Sequence, residues 1–256
     1  MTTTPPNALR PLISVVTVCF NAVTTIQGTL TSLQQQSFRD FEWIVIDGGS
    51  TDGTVQFLEE NRTDIAVLVS EPDSGIYDAM NKGVRHSSGR WVYFLNADDR
   101  LADERVFYDV FAAIRSAQEN LALVYGNVIY TNGEHTWQRR FHWVNRRTLL
   151  HGDLCHQAVF ARRELFDRIG PFEVALRINA DYDWLLRAFR SGERTLYLER
   201  NIAIFFHGGM HTRAPEHREE ERRSVRLRFC SPMVDRLGEV ALRIELRCRK
   251  WLGQTV

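Results

Sequence analysis

Trp91-Val92-Tyr93-Phe94-Leu95-Asn96-Ala97-Asp98-Asp99 runs from an unbroken apolar stretch into a polar, acidic tip. The apolar part reads as a strand. In an open α/β sheet, ligands bind just outside the carboxyl ends of the strands. Paired carboxylates at such an end suit a divalent cation, and hard oxygen ligands suit Mg or Mn best. An Asp-Asp after a strand also serves as a turn or a helix cap, so the surrounding chain has to decide between the two.

Upstream, residues 12–19 read as a buried strand, and 24–35 as a helix with Ile26, Leu30 and Leu33 on one side. Residues 41–46 form a second strand, and 54–60 a helix with Ser50 or Thr51 as its cap. Residues 65–70 are a third strand and 76–85 a helix; downstream, 103–116 is a helix and 121–125 a strand. This alternation predicts right-handed βαβ crossovers and an α/β fold with a mostly parallel sheet. Its strand ends carry Phe20-Asn21, Asp47-Gly48-Gly49-Ser50, Glu71-Pro72-Asp73-Ser74-Gly75 and Asn96-Ala97-Asp98-Asp99. Parallel strands bring their carboxyl ends to one edge, so the four tips converge on one cleft. An acidic edge repels phosphates unless a cation sits between them, which favours the metal reading. Asp47 can accept hydrogen bonds from a nucleobase imide or a ribose.

The second half changes character. Residues 128–138 predict a hairpin around Thr131-Asn132-Gly133. Residues 158–160, 195–198 and 202–206 read as strands, 163–169 and 181–190 as helices, the latter with a Trp184, Leu185, Ala188 and Phe189 stripe. Ser231-Pro232 opens a last helix. It puts Met233, Leu237, Val240, Ile244, Cys248 and Trp251 on one face, and Arg236, Arg243, Arg247 and Lys250 around the other. Such a helix lies on an anionic membrane surface, or docks on its own domain or a partner subunit.

Thirty-two basic residues balance 32 acidic ones, which argues against a nucleic-acid partner. Cys19, Cys155, Cys230 and Cys248 show no CxxC spacing, so neither a zinc site nor a disulfide framework is expected, and a reducing, cytoplasmic setting fits. Residues 1–10 lack an apolar core and read as a frayed leader rather than a signal peptide. No apolar run reaches the length of a membrane span.

Five stretches in order resemble an inverting glycosyltransferase of family 2, with the fold called GT-A. They are Val15-Val16-Thr17-Val18-Cys19-Phe20-Asn21; Glu42-Trp43-Ile44-Val45-Ile46-Asp47-Gly48-Gly49-Ser50-Thr51-Asp52-Gly53-Thr54; Glu71-Pro72-Asp73-Ser74-Gly75-Ile76-Tyr77-Asp78-Ala79-Met80-Asn81-Lys82-Gly83; Leu95-Asn96-Ala97-Asp98-Asp99; and Asn179-Ala180-Asp181-Tyr182-Asp183-Trp184. The third is similar to a subgroup that builds bacterial exopolysaccharide and colanic-acid-type chains. The resemblance implies a single Rossmann-like sheet with helices on both faces, an acceptor-side subregion and a C-terminal helix. Residues 11–127 would be the nucleotide-sugar-binding half, 128–215 the acceptor-side half, and 216–256 a basic amphipathic helical tail.

The resemblance also implies roles. Thr17 and Asp47 match residues that hold the uracil and ribose of a nucleotide sugar, with Phe20, Asn21, Ser50 and Asn81 in the same motifs. Asp73 and the Gly75 backbone match the loop lining the base. Asp98 matches the metal-binding carboxylate of an Asp-x-Asp motif, with Mn or Mg as the cofactor, and Asp99 reads as a supporting or capping group. Asn96 replaces the first Asp; it can bond a ribose hydroxyl but carries no charge. Met80 stands where many relatives have an Arg, leaving Lys82 and Arg85 to neutralise phosphate. Asp181 matches the catalytic base, with Ala180 replacing the usual Glu before it, and Asp183 reads as a first-turn helix charge. His207 or His211 would supply a further metal ligand. His156 and Gln157 match an acceptor-side motif, and Trp137 and Trp143 could stack on sugars, with Trp184 in the core. The expected reaction moves a sugar from a UDP-sugar or similar donor to a hydroxyl of a glycan or lipid-linked acceptor. Two rivals stay open. A nucleotidyltransferase would need a glycine-rich basic loop after the first strand, which Val18-Cys19-Phe20-Asn21-Ala22 lacks. A non-catalytic sugar-binding protein would explain Asn96, Ala180 and Met80.

Overall fold

The computed structural model describes residues 10–117, 120–206 and 215–251. The chain runs β1 (Ile13–Cys19), α1 (Ile26–Gln34), β2 (Phe41–Asp47), α2 (Thr54–Glu60), β3 (Val67–Ser70), α3 (Ile76–His86) and β4 (Trp91–Phe94). It continues through β5 (Arg100–Leu101), α4 (Val106–Ser116), β6 (Leu121–Thr131), β7 (Thr136–Arg139), β8 (Val159–Arg162) and α5 (Arg163–Ile169). Then come α6 (Ala180–Arg190), β9 (Arg194–Phe206), α7 (Pro215–Arg226) and α8 (Pro232–Trp251).

One sheet holds the strands in the order β3-β2-β1-β4-β8-β6-β9-β5, with β7 paired to β6. β3, β2, β1 and β4 are parallel, as the alternating pattern requires. All seven residues of β1 are buried. Val16 and Val18 pack on the face that carries α3, α5 and α6. Ile13, Val15 and Cys19 pack on the face that carries α1, α2 and α4. Burial on both faces is why this strand reads as a continuous apolar run.

The parallel order ends at β8, which runs antiparallel to β4 and β6. That reversal positions the site. Tyr93 pairs with Phe160, so the amino end of β8 abuts the carboxyl end of β4. Residues just before β8 therefore meet residues just after β4.

Several elements differ from the sequence expectation. The predicted strand 121–125 and the first arm of the predicted hairpin are one strand, β6, and the two strands within 195–206 are one strand, β9. They pair in parallel through register shifts between Tyr125 and Val128. Gly126 sits in that irregularity, where a Cβ would lie 2.5 Å from the Arg200 carbonyl oxygen. A bulge keeps the strand continuous where the glycine reads as a break. The N-cap of α2 is Gly53, not Ser50 or Thr51, and Asp52 just before it accepts the Thr54 N–H on Oδ1 at 3.0 Å.

α7, which opens the expected 216–256 tail, packs on the loop before α6. α7 is almost entirely charged, with only Val225 as a fully buried apolar anchor. No apolar periodicity announces it. It is held by Arg226, buried against Asp235 of α8, and by Glu221, described below. α8 leaves Met233, Leu237 and Val240 more than half exposed.

Candidate active site

The strand tips open into a cleft of ≈ 480 Å³. Phe20, Asn21, Asn96, Ala97 and Asp98 line its first wall, and His156, Asp181 and Tyr77 are among the residues across from them.

The β1 and β2 tips are sewn together. The Asn21 N–H donates to Ser50 Oγ at 2.7 Å, and Asn21 Oδ1 accepts the Thr51 N–H at 3.0 Å. Phe20 is left 65% exposed at the mouth, an aromatic face with no protein cover. A Cβ on Gly48 would sit 2.6 Å from Asp73 Oδ2 and 3.5 Å from the Phe20 ring. A side chain there would displace the Asp73 carboxylate, so the glycine leaves room for Asp73 beside Phe20. Asp73 Oδ1 in turn accepts the Gly75 N–H at 2.8 Å, and Gly75 holds a left-handed φ of 118°.

Other expected donor-site residues are not brought to open surface. Thr17 is fully buried, with its hydroxyl accepting the Trp43 indole N–H at 2.9 Å. Asp47 is fully buried too. Burial alone would raise its pKa, but hydrogen bonds from Ser50, Ser70 and Gly49 hold it below the usual carboxylate range. It shapes the turn that carries Gly48. Asn81 bonds Phe172 in both directions at 2.9 Å, pinning α3 to the loop after α5. Lys82 pairs with Glu71 at 2.7 Å and Asp78 at 3.6 Å. Neither Asn81, Lys82 nor Arg85 lines the cleft. The Lys82 charge expected to neutralise phosphate is paired instead with those carboxylates.

The acidic tip divides its labour. Asp99 is buried, accepting Gln157 Nε2 at 2.7 Å and the Phe206 N–H at 3.2 Å. It ties β4 to β8 and β9. Gln157 is only 1% exposed and its amide donates to Asp99, although it borders the cleft beside His156. Asp98 faces the cleft, and burial pushes its carboxyl above the usual range, which disfavours a lone negative charge there. Asn96 Oδ1 is buried without a hydrogen-bond partner. Its amide nitrogen lies 3.5 Å from His156 Nε2.

Across the cleft, Asp181 stands in the first turn of α6. His156 Nδ1 is 3.0 Å from its Oδ2, and the Tyr77 hydroxyl is 3.0 Å from its Oδ1. Burial would raise Asp181, but the hydrogen bond and charge of His156, with Tyr77, hold it below the usual carboxylate range. The carboxylate is therefore ionised and fixed. Asp183, two residues on, points away and pairs with Arg187 at 2.9 Å.

Sequence reasoning missed the clamp on this turn. Glu221 of α7 accepts the backbone N–H groups of Arg177, Ile178 and Asn179 at 2.6, 2.9 and 2.8 Å. It also takes Asn179 Nδ2 at 3.0 Å. A Glu in a run of charged residues gives no signal for such a role.

Among the described residues, no three or more His, Cys, Asp or Glu side chains are grouped to hold a metal ion. His207 and His211 lie outside the described residues. The Asp98 carboxylate and the unpartnered Asn96 oxygen are hard donors of the kind Mg and Mn take, so the residues present fit such a cation in part. Trp137 and Trp143 do not line this cleft, and Trp184 is buried against Phe166 as expected.

Residues 14–175 match the family described as glycosyl transferase family 2. The chain belongs to this family. It is 36% identical over 182 residues to the "PGL/p-HBAD biosynthesis glycosyltransferase" of Mycobacterium bovis, covering 70% of each chain. This glycosyltransferase also shares its fold with solved structures. The structure of S. aureus TarS 1–349 in complex with UDP-GlcNAc matches with a TM-score of 0.70 at 22% identity, over 84% of this chain and 65% of that one. The mannosyltransferase PcManGT of Pyrobaculum calidifontis, in complex with GDP-Man and Mn2+, matches with a TM-score of 0.59 at 23% identity, over 77% of this chain and 57% of that one. The mixed sheet with helices on both faces is the GT-A fold, as expected from the motifs.

Proposed function

We propose that this glycosyltransferase moves a sugar from a nucleotide diphosphate donor, a UDP-sugar in the first instance, to a hydroxyl of a glycan or lipid-linked acceptor, with inversion at the anomeric carbon. The observation that carries the reading is the Asp181 carboxylate, held by His156 and Tyr77 across the cleft from Asp98.

The acceptor hydroxyl is a poor nucleophile at neutral pH, so a carboxylate must take its proton as it attacks. Asp181 is the base, and Tyr77 and His156 hold its two oxygens in place. The donor base stacks on exposed Phe20 beside Gly48 and Asp73, while buried Asp47 and Thr17 keep that wall in shape. Asp98 and Asn96 would hold Mn or Mg, which when bound offsets charge on the departing diphosphate. His207 or His211, as the sequence implies, would supply a further ligand. The TarS complex with UDP-GlcNAc and the PcManGT complex with GDP-Man and Mn2+ support a nucleotide-sugar donor and a metal. The "PGL/p-HBAD biosynthesis glycosyltransferase" relative supports transfer of the sugar to a biosynthetic acceptor.

No helix among the described residues is long and apolar enough to cross a membrane. The exposed Met233, Leu237 and Val240 of α8, on a helix rich in arginine, support contact with the cytoplasmic membrane surface where a lipid-linked acceptor resides.

Incubation with Mn and a panel of nucleotide sugars, with nucleotide release as the readout, tests the reading. Turnover that depends on an acceptor supports it. UDP binding without turnover on any donor would leave a sugar-nucleotide-binding protein instead.

A further inference from the structure

The wall around Asp181 is basic. Arg139 of β7, Arg177 before α6, and Arg218 and Arg222 of α7 all line the same cleft. Arg222 is 8% exposed and locked: its guanidinium lies 4.0 Å from the Tyr182 ring centroid and bonds the Gly152 carbonyl. Asp153 is the carboxylate among them, 3.4 Å from Arg139 and 3.6 Å from Arg222. Burial would raise Asp153, but Arg222, Arg139 and Arg218 together hold it below the usual range. Asp153 and Asp181 together leave two of these four guanidiniums in excess. Among the described residues, Arg177 and Arg218 make no ion pair within 4.0 Å.

Such an excess of guanidinium in a cleft suits an oxyanion, which Arg binds with paired, charge-assisted hydrogen bonds. Two anions are available to a glycosyltransferase: the donor diphosphate and an anionic group on the acceptor. In-line displacement separates them. The leaving diphosphate departs on the side opposite the attacking hydroxyl, so groups clustered beside the base face the acceptor.

We propose that Arg139, Arg177, Arg218 and Arg222 form an acceptor subsite for a phosphate ester, so that the sugar is transferred to an acceptor carrying phosphate near its reactive hydroxyl. The assignment to the acceptor rests on Asp181 as the base. The tight Arg222–Tyr182 packing next to Asp181 would then fix the phosphate relative to the hydroxyl that attacks.

The probe is glycerol 1-phosphate, with glycerol as the uncharged control, titrated by calorimetry or ligand-observed NMR into the full chain. Each is titrated with and without saturating UDP. Arg177→Gln and Arg218→Gln are the variants, since neither arginine is locked in the fold. The expected result is binding of glycerol 1-phosphate but not glycerol, retained in the presence of UDP, and about tenfold weaker in each variant. Three results overturn the subsite: no preference for the phosphate ester, equal binding by the variants, or displacement of the ester by UDP together with weaker UDP binding in the variants. The last assigns the arginines to the donor diphosphate. Nucleotide release on the same samples keeps the two readings apart. A chain that binds the ester as expected but turns over no donor loses the transferase reaction, not the anion site. A chain that turns over donors with no ester preference loses the site alone.

Discussion

His156 Nδ1 lies 3.0 Å from Asp181 Oδ2, so a side chain from the turn before β8 holds the carboxylate at the start of α6. The two residues are 25 apart in sequence and come from different elements, the turn before β8 and the first turn of α6. If Asp181 is the base, His156 sets where its free lone pairs point.

Removing either partner should therefore act on turnover more than on donor binding. Asp181→Asn should lower kcat by ~10²–10⁴-fold, the range of a lost general base. His156→Ala should lower kcat by about tenfold to a hundredfold, because a base remains but is misplaced. UDP affinity, read by calorimetry, should change little in both. Full activity in Asp181→Asn would remove it from the base role.

The depressed pKa of Asp181 has a defined consequence with pH. Its folded value lies below the unfolded carboxylate value of about 3.9. The unfolded chain therefore binds the proton more readily, and the stability from this carboxylate is present above that value. It is lost as pH falls through the folded value. Asp153 carries the same sign. Urea unfolding followed from pH 7 to pH 3 should show their share of stability constant down to about pH 5 and falling below about pH 4. In Asp181→Asn that acid-side loss should shrink. An unchanged acid limb in this variant would mean that the carboxylate is not held as described.

Glu221 should behave as a positioning residue. Its carboxylate takes three backbone N–H groups that lead directly into α6. Glu221→Ala leaves those donors without their acceptor and should cost about 2 kcal/mol of stability. kcat should fall with it, while UDP affinity holds. Glu221→Gln keeps an oxygen acceptor and should recover part of kcat. A variant that loses stability but keeps full kcat in the folded fraction would limit Glu221 to a structural role.

The metal reading turns on Asn96 and Asp98. A chelator should abolish turnover, and Mn should restore it. Asn96→Asp adds a second carboxylate beside Asp98 and should tighten Mn by roughly tenfold, since an added charge contributes on the order of 1–2 kcal/mol to a partly exposed cation site. Calorimetric titration of Mn in the presence of UDP measures it. Unchanged Mn affinity would take Asn96 out of the metal site.

Much of the sheet is legible in the sequence alone. β1, β2, β4, α2 and α5 fall within a residue or two of their predicted bounds, because buried parallel strands write themselves as apolar runs and short helices are bounded by local turn signals such as Gly53 and Gly170. The convergence of Phe20, Asn21 and Asn96-Ala97-Asp98 follows from strand order alone. β6 and β9 each read as a pair of short strands, because a bulge at Gly126 and a break in chemistry look alike in one dimension.

The roles within the site are not legible in the same way. Residue type and motif position put Asp47, Asn81, Lys82 and Gln157 beside a ligand, and packing turns each of them to another protein group. Periodicity and strand-end chemistry carry the sheet, its carboxyl edge and the acidic tip, because these depend on neighbours a few residues away. The His156–Asp181 pair, the Glu221 clamp and the arginine wall join residues 25 to 83 positions apart. They exist only once β8 reverses against β4 and α7 folds back over α6, and no local pattern records a contact made by that return of the chain.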